Sequence, residues 1–283
     1  MIKEESILDT ALKRKFNTPS IEGAIRFIVN RIHKESKNET FPISLKKITK
    51  KLGVKTQSVN NLDNDAILTI DRGQYRIEFA PNKNWKRQRF TVAHEIMHVI
   101  LYDLFHNHIN FSLVELSHLE KICNIGASEL LVPKKNLEKD LDKETISINL
   151  ITKLTEKYMA SFSALSWKIN DIRPNTAIYI WKKYARNKKD KHEYRVLNAF
   201  QKYTTEINHP YLPQGCTSKY LSEKEVFNNP LVKKSGKIKV LLSKEREYDY
   251  YIEPFMQDFD SGYLFNSPKS QDYNCLMILN KIQ

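Results

Sequence analysis

The sequence has little cysteine and little glycine, and each shortage excludes a class of protein. Cys123, Cys216 and Cys275 are its three cysteines; they are an odd number, they lie far apart, and no two form a CxxC pair. This pattern argues against a disulfide framework and against a cysteine zinc site. With only 7 glycines and 41% hydrophobic residues, the composition is that of a globular protein rather than a disordered or fibrous one. We therefore expect reduced thiols in a folded chain.

Long apolar runs are missing as well. No segment approaches the about 18 apolar residues that span a bilayer, and the first ten residues, MIKEESILDT, lack the basic start and apolar core of a signal peptide. We expect a soluble, cytoplasmic protein. Because its 283 residues exceed the usual domain size of about 100–200 residues, we also expect two domains.

Acidic residues are fewer than basic ones, at 33 against 46, which gives a net charge of +13. Such a charge attracts nucleic acid or an acidic protein surface, but it also serves solubility. From Arg173 onward there are 19 basic and 12 acidic residues, so about half of the excess lies in each part of the chain. This even spread argues against a dedicated nucleic-acid-binding arm.

The apolar pattern predicts an α+β protein in which a mainly helical part with a small β-sheet precedes a β-rich C-terminal domain. Helices are predicted over residues 21–37, 45–52, 89–104, 116–131 and 148–172, the last with a turn around Ala160-Ser161. A hairpin is predicted over residues 67–79, around Asp71-Arg72-Gly73-Gln74. After Arg173-Pro174 the pattern becomes that of strands, so the predicted domains are residues 1–172 and 173–283.

One motif, His94-Glu95-Ile96-Met97-His98, indicates chemistry. Residues i and i+4 share a helix face, so His94 and His98 can present two imidazoles to one metal ion. Glu95 stands beside the first ligand, where a carboxylate can act as a general base on a metal-bound water. The motif therefore predicts a zinc site with Glu95 as the catalytic residue.

An HExxH sequence also occurs by chance on packed or solvated helices, and its surroundings decide between the two interpretations. Residues 92, 93, 96, 97 and 99–101 are all apolar, so this helix should be buried. Buried histidines and carboxylates need partners, because an unpaired polar group costs about 1–3 kcal/mol. A metal ion would provide such a partner.

A third protein ligand should be a carboxylate, because no histidine follows at the spacing of metzincins. Glu115, Glu120 and Glu129 lie on or near the next predicted helix, and spacing alone does not rank them. Tyr102 follows His98 by four residues and shares its face, so it is a candidate for an electrophilic group near the metal. Packing in the core is the more common role of such a tyrosine.

Two segments resemble the ImmA/IrrE family of metallopeptidases. The first is RFTVAHEIMH, residues 89–98, and the second is EKICNIGASELLVP, residues 120–133. The family typically has RFTxAHExxH, then Glu-x-x-Ala-Asn, and later Glu-Leu-Leu-Met-Pro. Here Cys123 replaces the usual alanine and Gly126 the usual phenylalanine, whereas Asn124 is kept. The resemblance covers about residues 20–172 and implies that Glu120 is the third zinc ligand.

The resemblance further implies a zincin-like fold and a zinc-dependent endopeptidase. Members of the family are bacterial or phage-related regulators that cleave helix-turn-helix transcriptional repressors, or promote their removal, so the implied partner is such a repressor and the implied context a regulatory or stress response. An alternative is a non-enzymatic regulator that binds a transcription factor or DNA with the same scaffold. The C-terminal domain is interpreted as a sensor or partner-binding domain.

Overall fold

The computed structural model describes residues 6–81, 85–105, 113–173, 176–186, 191–200, 234–240, 246–255 and 274–281. The chain divides into two compact units, one made of residues 1–137 and 154–161 and the other of residues 138–153 and 162–283. The domain boundary near residue 173 stays a prediction. Within the described residues, no helix is both long and apolar enough to cross a membrane.

Three N-terminal helices each begin after a serine. They are α1 (Ile7–Lys15), α2 (Ile21–Glu35) and α3 (Leu45–Lys51). The hydroxyls of Ser6, Ser20 and Ser44 accept hydrogen bonds from backbone N–H groups in the first turn of these helices, which satisfies donors that a helix start leaves free. Helix α1 was not predicted, whereas α2 and α3 confirm the predicted helices.

A three-stranded sheet follows, with the order β1-β3-β2. Its strands are β1 (Lys55–Ser58), β2 (Ala66–Asp71) and β3 (Gln74–Phe79). The hairpin between β2 and β3 is confirmed: Arg72 and Gly73 both have positive φ, at 49° and 78°, as a type I′ turn requires. Strand β1 pairs in parallel with β3 and was not predicted, since all four of its residues are exposed.

Two long helices form the centre of the first unit, α4 (Trp85–Phe105) and α5 (Leu113–Leu131), and confirm the predicted pair. They approach closely at Gly126, where an added Cβ would lie 2.5 Å from Met97 Cε and 2.7 Å from Met97 Cγ. Real Cβ atoms do not come this close to another heavy atom. A residue without a side chain is therefore needed at position 126 as long as Met97 keeps this position.

The remaining helices are α6 (Lys134–Asp140), α7 (Ile148–Tyr158) and α8 (Phe162–Ile172). The turn predicted inside residues 148–172 is confirmed, because α7 ends at Tyr158 and Met159 adopts a positive φ of 50°. The mostly helical character and the small sheet of this part of the chain are thus as predicted.

Five further strands pair antiparallel in the order β5-β4-β8-β7-β6. Their bounds are β4 (Thr176–Arg186), β5 (Lys191–Phe200), β6 (Lys234–Val240), β7 (Arg246–Phe255) and β8 (Asn274–Lys281). The interpretation of residues 173–283 as a separate β-rich domain stays a prediction, as does its role.

Candidate metal centre

Helix α4 brings the two histidines of the motif to one point. Nε2 of His98 lies 3.0 Å from Nε2 of His94, and the ring centroids are 4.8 Å apart. The helix is fixed in the core by Ala93, Ile96 and Met97, whose side chains are fully buried. The i, i+4 spacing and the apolar neighbours thus have the effect predicted from the sequence.

Glu120 reaches the same point from α5. Its Oε2 lies 3.1 Å from Nε2 of His94, and its Oε1 lies 3.2 Å from Nε2 of His98. Potential ligand atoms of the three residues all lie within 4.8 Å of one another. The Glu120 side chain is 57% exposed, in contrast to the buried His98, so the cluster opens to solvent on the side of Glu120.

The other two carboxylates that were considered lie elsewhere and have partners. Glu115 is only 6% exposed and accepts hydrogen bonds from the backbone N–H groups of Ile7 and Leu8, at 3.0 and 3.2 Å, at the start of α1. Glu129 accepts from the backbone N–H of Lys134 at 2.9 Å, at the start of α6. Both therefore stabilise helix starts, and Glu120 is the one of the three that joins the histidines.

Asn124 is a polar neighbour to which the sequence analysis assigned no role at the site. Its Oδ1 lies 3.0 Å from Nδ1 of His94, and a carbonyl oxygen only accepts, so His94 carries its proton on Nδ1. The lone pair of His94 is then on Nε2, directed at His98 and Glu120. Because Asn124 follows Glu120 by four residues, it shares that face of α5. The Glu-x-x-x-Asn spacing was the available signal.

This arrangement of atoms fits a metal ion. A nitrogen lone pair facing a carboxylate oxygen at 3.1 Å is unfavourable unless a proton or a metal cation lies between them. Zinc–nitrogen bonds of about 2.0–2.1 Å in a tetrahedron require ligand atoms about 3.3 Å apart. The observed separations of 3.0, 3.1 and 3.2 Å are close to this value. Two imidazoles and one carboxylate are also a ligand set that zinc enzymes use.

Burial and neighbouring charges shift the pKa of two further groups at the site, Glu95 and His98. Burial raises the pKa of Glu95, Glu120 raises it further, and His94 acts in the opposite direction. Burial also lowers the pKa of His98, which favours its neutral form, the form that binds metal. Glu95 is therefore close enough to His94 and Glu120 to be influenced by their charges.

Tyr102 lies one turn beyond His98 on α4, and the two ring centroids are 5.8 Å apart. Its pKa is raised, mainly by burial, with further contributions from Cys123, Glu120 and Glu95. The hydroxyl is thus in its neutral, hydrogen-bond-donating form at ordinary pH. The ring of Tyr102 lies beside that of His98, and its role as an electrophilic group stays a prediction.

A buried helix that carries HExxH, faces a glutamate of the following helix and packs against a small sheet defines a zincin-like domain. Residues 49–170 match the Peptidase_M78 family model, described as the IrrE N-terminal-like domain. The resemblance to the ImmA/IrrE family stated from the sequence is thereby confirmed for this domain. This family of peptidases is typically metal-dependent.

Among solved structures, a Mycobacterium tuberculosis transcriptional regulator is similar, with a TM-score of 0.53. The alignment covers 90% of this chain and 87% of that chain, at 13% sequence identity. At this identity the likeness concerns the fold alone. No curated protein matches the sequence.

Proposed function

We propose that the protein is a zinc-dependent endopeptidase that cleaves a helix-turn-helix transcriptional repressor in a bacterial or phage-related regulatory or stress response. The observation that carries this proposal is the cluster of His94, His98 and Glu120, whose ligand atoms lie within 4.8 Å of one another, next to Glu95. Family membership through residues 49–170 supports the same chemistry.

His94, His98 and Glu120 would hold the zinc ion, which would supply Lewis-acid chemistry: it would make a water molecule more acidic, from a pKa of 15.7 to about 7, and polarise the substrate carbonyl. Glu95 accepts the proton of the attacking water and then donates it to the leaving amine. The raised pKa of Glu95 suits both steps, because a base whose pKa lies nearer to neutral also returns the proton readily. Asn124 keeps the His94 ring in the orientation that directs Nε2 inward.

The repressor is proposed as the substrate class from the family resemblance. The similar solved structure is a transcriptional regulator, which fits a role in transcription. Such a substrate would place the enzyme in the cytoplasm, and residues 173–283 would sense the trigger or bind the partner.

The test combines metal content with cleavage. We expect about one zinc per chain in the purified protein, and loss or weakening of zinc in His98→Ala and in Glu120→Ala. Glu129→Ala is the matched control, since this carboxylate lies on the same helix but bonds to Lys134, and it should keep its zinc. Zinc that is retained by Glu120→Ala would move the third ligand elsewhere.

Cleavage is then measured against candidate repressors with Glu95→Gln. This variant should bind zinc as the unchanged protein does and lose about 10²–10⁴-fold in cleavage rate. Cleavage that persists in Glu95→Gln would contradict the assigned base. Glu156→Gln, which removes an exposed carboxylate on α7, controls for the change of charge.

A second candidate function is a regulator without catalysis that binds a transcription factor or DNA. The net charge of +13 favours it, since a basic protein attracts acidic partners. This function predicts binding without cleavage, and equal binding by the unchanged protein and Glu95→Gln. Specific cleavage of the bound partner by the unchanged protein alone would exclude it.

A further inference from the structure

A cleft of about 520 Å³ lies beside the start of α4, outside the histidine cluster. Its apolar walls are Leu45, Phe79 and Val92, and its polar lining includes Lys46, Thr56 and Arg89. Within the described part of the chain, no acidic side chain lines it. The lining of the cleft therefore combines two basic residues with apolar and uncharged polar ones.

Arg89 has an incomplete set of partners. Its Nη2 donates to the carbonyl of Ile43 at 2.8 Å, whereas its Nε is buried and makes no hydrogen bond to any described residue. Burial lowers the pKa of Arg89, and none of the ion pairs among the described residues includes it. A partly buried cation without a counter-charge is unfavourable, so an external anion would stabilise this site.

Helix α3, which supplies Leu45, Lys46 and Thr49 to the lining, adds positive charge beside the cleft. Its sequence LKKITKK contains four lysines, and its first turn contains no acidic residue. Lys51 lies 3.8 Å from Glu35, whereas Lys46 is exposed and lines the cleft. The local potential therefore attracts an anion toward Arg89.

We propose that this cleft binds a carboxylate of the peptide substrate, an acidic side chain held by Arg89 and Lys46 with its methylene groups against Leu45, Phe79 and Val92. The proposal rests on the proposed peptidase function. Arg89 precedes Glu95 by six residues, about 9 Å along the helix axis. An extended peptide covers this distance in about three residues. The cleft would thus select an Asp or Glu about three residues from the cleaved bond.

A peptide carboxylate fits better than a nucleic-acid phosphate. Recognition of a nucleic acid uses several exposed cations along the phosphate backbone, whereas the lining of this cleft has one exposed lysine, one partly buried guanidinium and three apolar side chains. A planar guanidinium also matches the two oxygens of a carboxylate. Binding of phosphate alone is an outcome that the experiment separates.

Binding is measured on the full chain carrying Glu95→Gln, so that no turnover interferes. The probe is the peptide N-acetyl-Ala-Ala-Asp-Ala-Ala-amide, compared with the same peptide carrying Asn in place of Asp, and the readout is the NMR signal of the Arg89 Nε–H group. We expect a saturable shift of this signal and about tenfold tighter binding of the Asp peptide. Equal binding of both peptides, or an unchanged Arg89 signal, would overturn the proposal.

Arg89→Lys keeps the charge but loses the fork of donors, and it should abolish the preference for Asp. Because this change also removes the bond to Ile43, Lys46→Gln provides an independent test and should weaken Asp-peptide binding about threefold or more. Lys50→Gln is the matched control, as it removes the same charge from α3 at a residue that does not line the cleft, and it should change affinity less than twofold. Equal effects of the two lysine variants would overturn the proposal.

The protein is also titrated with inorganic phosphate in a separate experiment. Phosphate that shifts the Arg89 signal while the Asp peptide does not would overturn the proposal in favour of a phosphate-bearing ligand. None of these results depends on zinc or on cleavage. A protein that lacks peptidase activity and still prefers the Asp peptide would refute the proposed function and leave the carboxylate site standing.

Discussion

Asn124 on α5 holds the ring of His94 on α4, with Oδ1 3.0 Å from Nδ1. The contact leaves the Nε2 lone pair of His94 free for a metal. Partners of this kind orient metal-binding histidines, and their loss typically costs about 10–100-fold in metal affinity. The helix that supplies Glu120 thus also orients a histidine of the other helix.

We expect Asn124→Leu, which removes the acceptor at nearly unchanged size, to weaken zinc binding about 10–100-fold. Asn124→Asp, which keeps an oxygen acceptor, should stay close to the unchanged protein. Competition with a fluorescent chelator measures both affinities. If the two variants bind zinc alike, the hydrogen bond has no role in ligation.

Tyr102 provides a test of whether the surroundings of the cluster act in catalysis. If its hydroxyl donates to the developing oxyanion, Tyr102→Phe should lower kcat about 10–100-fold with KM and zinc content unchanged. If the ring only packs against His98, at 5.8 Å between centroids, the same variant should cleave normally. The split between kcat and KM on a cleaved repressor distinguishes the two roles.

Glu115 connects α1 to the first turn of α5, because its buried carboxylate accepts from the N–H groups of Ile7 and Leu8. We expect Glu115→Ala to destabilise the protein by about 1–3 kcal/mol, since two donors lose their partner, and to leave zinc binding unchanged. Chemical denaturation measures the loss of stability, and the zinc content of the purified variant measures metal binding.

The matched control for that experiment is Glu22→Ala. Glu22 is also an acidic residue in the first turn of a helix, but it is exposed, so its removal should cost less than about 0.5 kcal/mol. A similar small loss for Glu115→Ala would contradict the structural role of its contacts with α1.

His33 gives the stability a dependence on pH. Burial lowers its pKa, although a hydrogen bond to the carbonyl of Leu130 and the charge of Glu129 oppose this shift. Since the unfolded chain binds the proton at a pKa of about 6.5 and the folded chain only at lower pH, stability is complete above pH 6.5 and decreases as the pH falls below it.

The corresponding variant is His33→Gln, which can still donate a hydrogen bond to Leu130 but does not titrate. Its free energy of unfolding should decrease less than that of the unchanged protein between pH 7 and 5.5. Subtracting the unfolding free energy of the variant from that of the unchanged protein at each pH removes the contribution of His94 and His98, which both proteins share. Parallel curves would contradict the assignment to His33.

Local patterns in the sequence predicted much of the first unit. The hairpin followed from Asp71-Arg72-Gly73-Gln74, and the two-histidine pair from the i, i+4 spacing on an apolar helix, because both depend on neighbours within a few residues. Helix α1 was missed, since part of its stability comes from Glu115, more than 100 residues away. Strand β1 was missed because its four exposed residues have no apolar alternation.

The third member of the cluster shows the limit of spacing as evidence. Glu115, Glu120 and Glu129 all lie on the helix that follows the motif, and their partners in the fold separate them. The cleft beside Arg89 is lined by residues from α3, β1, β3 and α4, so no single segment of the sequence predicts it. Features assembled from several elements require the structure.

The contact between Gly126 and Met97 restricts the evolutionary paths open to this protein. Because an added Cβ at position 126 would collide with the Met97 side chain, a larger residue fits there only if the Met97 side chain moves or position 97 becomes smaller. The two positions flank the metal cluster, one next to His98 and the other two residues beyond Asn124. Relatives that carry the usual phenylalanine at the position of Gly126 should therefore have a residue smaller than methionine at the position of Met97, so that the two positions vary together.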